Sequence, residues 1–209
     1  MKPRQKTAAA AGVVALCGTL AFAQAPAGHE AHMAQMAAAG KGPAVRLMTP
    51  PPAVPDLPFV DQTGRKWTLG EALATEKPVL VNFIFTSCTT ICPVMSAGMS
   101  QFMANRGKDQ DGVRVVSVSI DPEIDTVAKL RAYAERYHAP ASWLFLTGSA
   151  EAVEAAQRAF GAFRGGKLNH APGTFVRASR DAAWIALDGF SSAETLEHAS
   201  MGHLSPSRP

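Results

Sequence analysis

The sequence predicts an α/β fold in which helices cover a central mixed sheet. Residues 79–85 form an almost continuous apolar run, which is the pattern of a strand buried on both faces, and residues 113–120 predict a second buried strand. A third, shorter strand is predicted over 143–146, and helical segments separate these strands. After an N-terminal β-hairpin the predicted order is β-α-β-α-β-α-β-β, which is typical of a sheet packed between helices.

Two antiparallel pairs flank this alternating region. The segments 59–61 and 66–69 lie on either side of the turn dipeptide at 63–64, a threonine followed by a glycine, and they predict the N-terminal β-hairpin. The segments 174–177 and 183–187 predict an antiparallel pair that closes the sheet. The sheet is therefore expected to contain both parallel and antiparallel neighbours.

Each of the three predicted helices has a recognisable start. The helix over 93–106 begins with proline, which suits the first helical position because it lacks an N–H. Asp125 is expected to cap a helix that runs to about residue 137. Ser149 is expected to cap a helix that runs to residue 160.

The composition excludes several classes of protein. The 209 residues are 47% hydrophobic and 18% charged, which is neither the composition of a disordered chain nor that of a polytopic membrane protein. The net charge is +3, but three of the basic residues, Lys2, Arg4 and Lys6, lie at the extreme N-terminus. Without them, basic and acidic residues number 17 each. We therefore expect no nucleic-acid partner, because such a protein carries a basic surplus.

The first 23 residues have the pattern of a secretory signal peptide. A basic start is followed by an apolar, alanine-rich run over 8–22 and by a small-x-small cleavage site at 21–23. The run is shorter than the roughly 20 residues that span a bilayer, so we expect cleavage and export to the periplasm. The alternative is an uncleaved segment that anchors the protein to the inner membrane. Cys17 would be lost with the signal peptide, which leaves two cysteines in an oxidising compartment.

The mature chain divides into three expected regions. Residues 24–55 are rich in alanine and proline and are predicted to be a flexible linker, 56–198 the folded domain, and 199–209 a flexible tail. Both ends carry histidines and methionines, whose side chains are copper ligands. These residues are His29, His32, Met33 and Met36 in the linker, and His198, Met201 and His203 near the C-terminus. Short clusters of this kind are compositional signals, and the composition favours incidental residues over a metal-capturing tail.

The most informative motif is FTSCTTICP at 85–93, which contains Cys88 and Cys92. It lies where a predicted buried strand ends and a helix begins, a position where functional groups gather in α/β folds. The positive end of the helix dipole stabilises a thiolate there. A disulfide across so short a loop adds little stability, so a purely structural role is disfavoured. The pair is therefore predicted to be redox-active or to hold a soft metal ion.

A third ligand would complete a metal site. His170 lies in a loop just before a predicted strand, and this loop can lie beside the two cysteines. Two thiolates and an imidazole suit copper, and zinc would also accept them with a fourth ligand. By spacing alone, a histidine so far downstream is more often incidental than a ligand.

Long stretches of the chain resemble the Sco/SenC family of secreted or membrane-anchored, thioredoxin-fold proteins of copper handling. The similarity covers about residues 56–197. It is carried by FVDQTGRKWTLGEAL, VLVNFIFTSCTTICP and VRVVSVSIDPEIDTVAKLRAY. In that family two cysteines and a downstream histidine bind one copper ion, which implies Cys88, Cys92 and His170 as ligands. The family usually has Asp before the histidine, whereas this chain has Asn169.

The resemblance implies a copper-binding chaperone for the copper A centre of cytochrome c oxidase. Its partners would be the oxidase subunit that carries this centre and a thiol reductant of the thioredoxin type, because a disulfide blocks loading. The alternative is an enzyme, a periplasmic thiol–disulfide oxidoreductase that reduces the cysteines of a metalloprotein partner. In that reaction Cys88 would attack and Cys92 would resolve the mixed disulfide. The chaperone requires His170, whereas simple exchange does not.

Overall fold

The computed structural model describes residues 42–54 and 56–206. The strands are β1 (Ala44–Leu47), β2 (Pro58–Asp61), β3 (Lys66–Thr68), β4 (Val79–Ile84), β5 (Arg114–Ser119), β6 (Trp143–Gly148), β7 (Gly173–Arg177) and β8 (Ile185–Asp188). The α-helices are α1 (Leu69–Leu73), α2 (Ile91–Asn105), α3 (Val127–Arg136), α4 (Ala150–Ala159) and α5 (Ala193–Ser200). The predicted signal peptide and the first His/Met cluster lie outside the described residues.

The described strands form one mixed sheet in the order β1-β8-β7-β4-β5-β6-β2-β3. β4, β5 and β6 are parallel neighbours, and the other neighbours are antiparallel. This confirms the predicted fold class, including the hairpin β2–β3 and the closing pair β7–β8. Because parallel strands end at the same edge of a sheet, the loops after β4 and β5 emerge side by side.

The central strand β4 is buried along its whole length. Val81 and Phe83 belong to a core cluster with residues of α1 and α4. Leu80 and Ile84 belong to a second cluster with residues of α2, α3 and α5. Since successive side chains of a strand point to opposite faces, a core on each face explains the continuous apolar run. Each such side chain contributes about 1.5–3 kcal/mol by its burial.

The capping residues agree only in part with those expected. Helix α2 begins at Ile91, so that Pro93 is its third residue and not its first. Helix α3 is capped by the hydroxyl of Thr126, not by Asp125, whose carboxylate is used elsewhere. The cap of α4 by Ser149 is confirmed, because its hydroxyl accepts a backbone N–H of the first turn.

The folded domain extends beyond the predicted limits of 56–198 at both ends. Residues 44–47, expected to be a flexible linker, form β1 and pair with β8, and Met48 is buried. In the segment expected to be a flexible tail, Leu204 packs against a core cluster. β1 satisfies the backbone groups that the edge of β8 would otherwise leave unpaired. Between residues 42 and 206, none of the described helices is long and apolar enough to cross a membrane.

Candidate functional site

The two cysteines lie at the junction of β4 and α2. The N–H of Cys88 donates to the carbonyl of Phe85 (3.1 Å), which turns the chain away from the strand. Cys92 is the second residue of α2, and its N–H donates to the Cys88 sulfur (3.4 Å). The sulfur of Cys88 thus accepts one of the N–H groups that a helix start leaves without a partner. This arrangement places the first sulfur at the positive end of the helix dipole.

The two thiols have opposite environments. Cys88 is partly exposed, whereas Cys92 is fully buried, and neither forms a disulfide. Burial would raise the pKa of Cys88, but hydrogen bonds from Cys92 and Thr90 outweigh it and lower this pKa below the ordinary value. Burial raises the pKa of Cys92 far above the ordinary value. Cys88 is therefore the thiol that ionises first, and Cys92 stays protonated beside it.

A buried carboxylate fixes the loop that carries Cys88. Asp125 accepts hydrogen bonds from the N–H (3.0 Å) and hydroxyl (2.5 Å) of Thr86 and from the hydroxyl of Ser119 (2.7 Å). Its charge also contributes to the raised pKa of Cys92. Sequence reasoning missed this role. The available signal was an acidic residue in the loop after β5, at the sheet edge where the cysteine loop emerges.

His170 lies between the short 3₁₀ helix Lys167–Asn169 and strand β7. Its ring forms a hydrogen bond with the backbone carbonyl of Phe83 in β4, and its Nε2 is buried without a partner. Burial lowers the pKa of this imidazole, and the nearby charge of Arg164 lowers it further. A neutral ring with one nitrogen anchored and the other unpartnered is the form in which histidine binds metals.

Polar contacts hold the loop before His170. Lys167 forms an ion pair with the largely buried Asp121 (2.5 Å) and lies 5.9 Å from the centre of the Phe85 ring. The side-chain amide of Asn169 donates to the carbonyl of Arg164 (3.2 Å). An ionised aspartate at this position has no hydrogen to donate, so Asn169 gives this chain a loop contact that the usual family residue could not make.

The structure brings together two of the three expected ligands. Cys88 and Cys92 are in contact, and His170 is anchored to the strand from which their loop emerges. However, residues 42–54 and 56–206 contain no group of three His, Cys, Asp or Glu side chains close enough to hold one ion. His170 instead lines a cleft of about 420 Å³ together with Arg46 and Arg164. The three-ligand set therefore stays a prediction.

Sequence comparison matches the chain to one protein family. A sequence model of the SCO1/SenC family matches residues 49–180. The SCO1 protein homolog of Bacillus subtilis (strain 168) is 41% identical over 93 residues, which are 43% of this chain and 46% of that protein. The SCO2-like protein of Rickettsia felis is 28% identical over 108 residues, 52% of this chain and 51% of that protein. The chain spans about half the length of these relatives.

Solved structures show the same fold. BsSco, a member of the Sco family of cytochrome c oxidase assembly proteins, aligns with a TM-score of 0.57 and 26% identity over 77% of this chain and 96% of that one. Bradyrhizobium japonicum ScoI with copper bound aligns with a TM-score of 0.57 and 23% identity over 72% of this chain and 96% of that one. The fold is thus the thioredoxin-like fold predicted from the sequence. Because the family model matches more than half of the residues, the chain belongs to the SCO1/SenC family.

Proposed function

We propose that this protein is a copper-binding chaperone that delivers copper to the copper A centre of cytochrome c oxidase. The ion would be held by Cys88, Cys92 and His170. The observation that carries the proposal is the imidazole of His170, whose Nε2 is buried without a partner while the ring is anchored to Phe83. An unpartnered buried nitrogen costs free energy, and a bound metal ion would remove that cost.

The donor set fits copper. Two sulfurs and an imidazole are ligands of Cu(I) and Cu(II), whereas calcium and magnesium prefer oxygen. Cys92 lies in an apolar cluster, and the hydrogen bonds that lower the pKa of Cys88 make it the thiol that ionises more readily. Binding of the ion would displace the proton of Cys92, because only a thiolate is a strong ligand.

Loading requires movement of the loop before His170. In the structure this loop is held by the pair of Lys167 with Asp121 and by the contact of Asn169 with Arg164. The Asn169 contact is exposed and the side chain of Lys167 is 40% exposed, so each contact contributes on the order of 1 kcal/mol. The free energy of copper binding is large enough to replace them. Release would follow by stepwise exchange of ligands with the recipient.

The relatives support the choice of recipient, and the predicted signal peptide supports the choice of cell compartment. BsSco belongs to the cytochrome c oxidase assembly proteins, and ScoI of Bradyrhizobium japonicum binds copper. We assign this chain the same kind of task, with a thioredoxin-type reductant that keeps Cys88 and Cys92 as thiols. Residues 1–23 would direct export to the periplasm, either by cleavage or as an anchor in the inner membrane.

The test is anaerobic titration of the reduced protein with Cu(I). We expect one tightly held ion per chain, no tight binding after Cys88→Ser with Cys92→Ser, and at least about tenfold weaker binding after His170→Ala. His138→Ala is the matched control, because His138 is an exposed histidine at the end of α3. Tight binding that survives the loss of both cysteines would refute the proposed site.

A second function, thiol–disulfide exchange, is favoured by the unlike thiols. The Cys88 thiolate would attack a partner disulfide, release one partner sulfur as thiolate and form a mixed disulfide. Cys92, after losing its proton, would attack the Cys88 sulfur of this mixed disulfide and release the other partner sulfur as a thiolate. The partner gains two electrons, and the pair Cys88–Cys92 is oxidised to a disulfide. His170→Ala separates the two functions, since it weakens copper binding and leaves exchange intact.

A further inference from the structure

Helix α5 ends in a tight left-handed turn. Gly202 adopts a φ of 73°, and its N–H donates to the carbonyl of Ala199 (3.0 Å). The N–H of the next residue, His203, donates to the carbonyl of His198 (2.9 Å). This is the Schellman motif, in which the residue after the left-handed position folds back over the last full turn of the helix.

The motif brings two particular side chains face to face, and these are usually apolar. Helix α3 ends in the same way: the N–H of Ala139 donates to the carbonyl of Ala134, and both alanines pack against a core cluster. Helix α4 also ends in this motif, because the N–H of Ala162 donates to the carbonyl of Gln157. At the end of α5 both facing residues are histidines. The composition alone favoured incidental residues here, but the turn holds this pair in register.

We propose that His198 and His203 form a metal-binding site for a late first-row transition-metal ion, with copper bound most tightly. Both side chains are exposed, and their ring centres are 6.3 Å apart. When one ion lies about 2 Å from a nitrogen of each ring, the two ring centres are at most about 6 Å apart. Small side-chain rotations therefore bring both rings to one ion. Among divalent ions, copper binds most strongly to imidazole sites.

The turn between the two rings adds a soft donor and rigidity. Met201 caps the helix with its side chain 50% exposed, and its thioether is a ligand for Cu(I). Ser200 before it is buried, and Leu204 after it packs against the core. With both flanks fixed, the backbone of the turn loses little conformational freedom when the imidazoles bind an ion.

This site is distant from the cysteine pair and independent of it. Cys92 lies in the first turn of α2, which has 15 residues and is about 22 Å long. Arg106, just after the other end of α2, pairs with Glu197, the neighbour of His198. The two sites therefore take separate ions, and the proposal does not depend on the function assigned to Cys88.

The test uses the full chain with Cys88→Ser, Cys92→Ser, His29→Ala and His32→Ala, which removes the cysteine pair and the two linker histidines. Cu(II) is titrated against a competing chelator, and the histidine ring signals are followed by NMR. We expect one ion to broaden the His198 and His203 signals, and the variants His198→Ala and His203→Ala to bind at least tenfold more weakly. Unchanged affinity in these two variants would overturn the proposal.

Two glycine variants test the role of the turn. Gly202→Ala keeps both imidazoles but strains the left-handed backbone, so we expect weaker Cu(II) binding. Gly161→Ala places the same strain in the same motif at the end of α4, where φ is 66°, and should leave Cu(II) affinity unchanged. Equal losses in both variants would contradict a turn-built site.

Discussion

The buried carboxylate of Asp125 holds both the N–H and the hydroxyl of Thr86, 39 positions earlier in the chain (3.0 and 2.5 Å). Thr86 follows β4 and precedes Cys88, while Asp125 follows β5. The contact therefore joins the two loops that leave the same edge of the sheet. It fixes the cysteine loop from its buried side, where water does not compete for the hydrogen bonds.

We predict that Thr86→Val lowers the free energy of unfolding by about 1.5–3 kcal/mol. The substitution keeps the shape but removes a donor to a buried charged group, and such bonds are worth this amount. Urea unfolding at pH 7 measures the change. Thr89→Val is the control, because Thr89 is exposed on the same loop and should shift stability by less than about 0.5 kcal/mol. Equal effects of both variants would show that Asp125 does not stabilise this loop.

The unlike environments of the two thiols predict selective alkylation. In the reduced, metal-free protein, iodoacetamide should modify Cys88 at least tenfold faster than Cys92, because only Cys88 is accessible. Burial alone would raise the pKa of Cys88, but its hydrogen bonds lower this pKa. Its reaction rate should therefore rise with pH through a midpoint below that of a free cysteine.

Peptide mass spectrometry after timed quenching measures both alkylation rates. The control is the same protein in denaturant, where the two thiols should react at similar rates. If Cys92 is modified as fast as Cys88 in the native protein, the assignment of Cys88 as the attacking thiol is wrong.

The central strand β4 was predictable because burial on both faces makes all residues of 79–84 except Asn82 apolar. The edge strand β1 was not, since residues 44–47 are mostly exposed and gain their partners only by pairing with β8. Likewise, Asp125 and Thr126 are both good capping residues in sequence. The position of the cysteine loop decides between them. It brings Thr86 within hydrogen-bond distance of Asp125, so that Thr126 caps the helix instead.

The candidate site also combines a feature that the local sequence predicts with features that only the folded structure reveals. The cysteine motif follows from a local pattern, a strand that ends where a helix begins. His170 has no such local signal, and the resemblance to a family was needed to select it. Its anchor, the carbonyl of Phe83, is a backbone atom that any residue offers, so no side-chain pattern could reveal the contact. The facing pair His198 and His203 became visible only through the left-handed turn at Gly202.

Asp61 is predicted to make folding stability depend on acid pH. Its buried carboxylate accepts from the N–H and hydroxyl of Thr63, the N–H of Arg65 and the indole N–H of Trp67. Burial raises the pKa of Asp61, but these hydrogen bonds outweigh it and the folded pKa is lowered. The unfolded chain then binds the proton more readily. The stabilisation is complete above the unfolded pKa of about 3.9 and is lost as pH falls through the folded pKa.

We therefore expect Asp61→Asn to lower the free energy of unfolding at pH 7 by about 2–3 kcal/mol, and this difference from wild type to shrink below about pH 4. Urea unfolding across pH 2–7 measures both quantities. Asp188→Asn is the control, because Asp188 forms a half-exposed pair with Arg46 that is worth at most about 1 kcal/mol. A difference for Asp61→Asn that persists at pH 2 would contradict the linkage.

The buried polar chain that crosses the parallel strands gives the last prediction. Ser117 donates to Oδ1 of Asn82 (2.6 Å) and accepts from the indole N–H of Trp143 (2.9 Å). Ser117→Ala leaves the indole without an acceptor and Asn82 without this donor, so we expect a loss of about 2–3 kcal/mol by urea unfolding. Ser179→Ala, at an exposed serine, should change stability by less than about 0.5 kcal/mol. Because water cannot replace Ser117 inside the sheet, a neutral Ser117→Ala would mean that Trp143 finds another acceptor there.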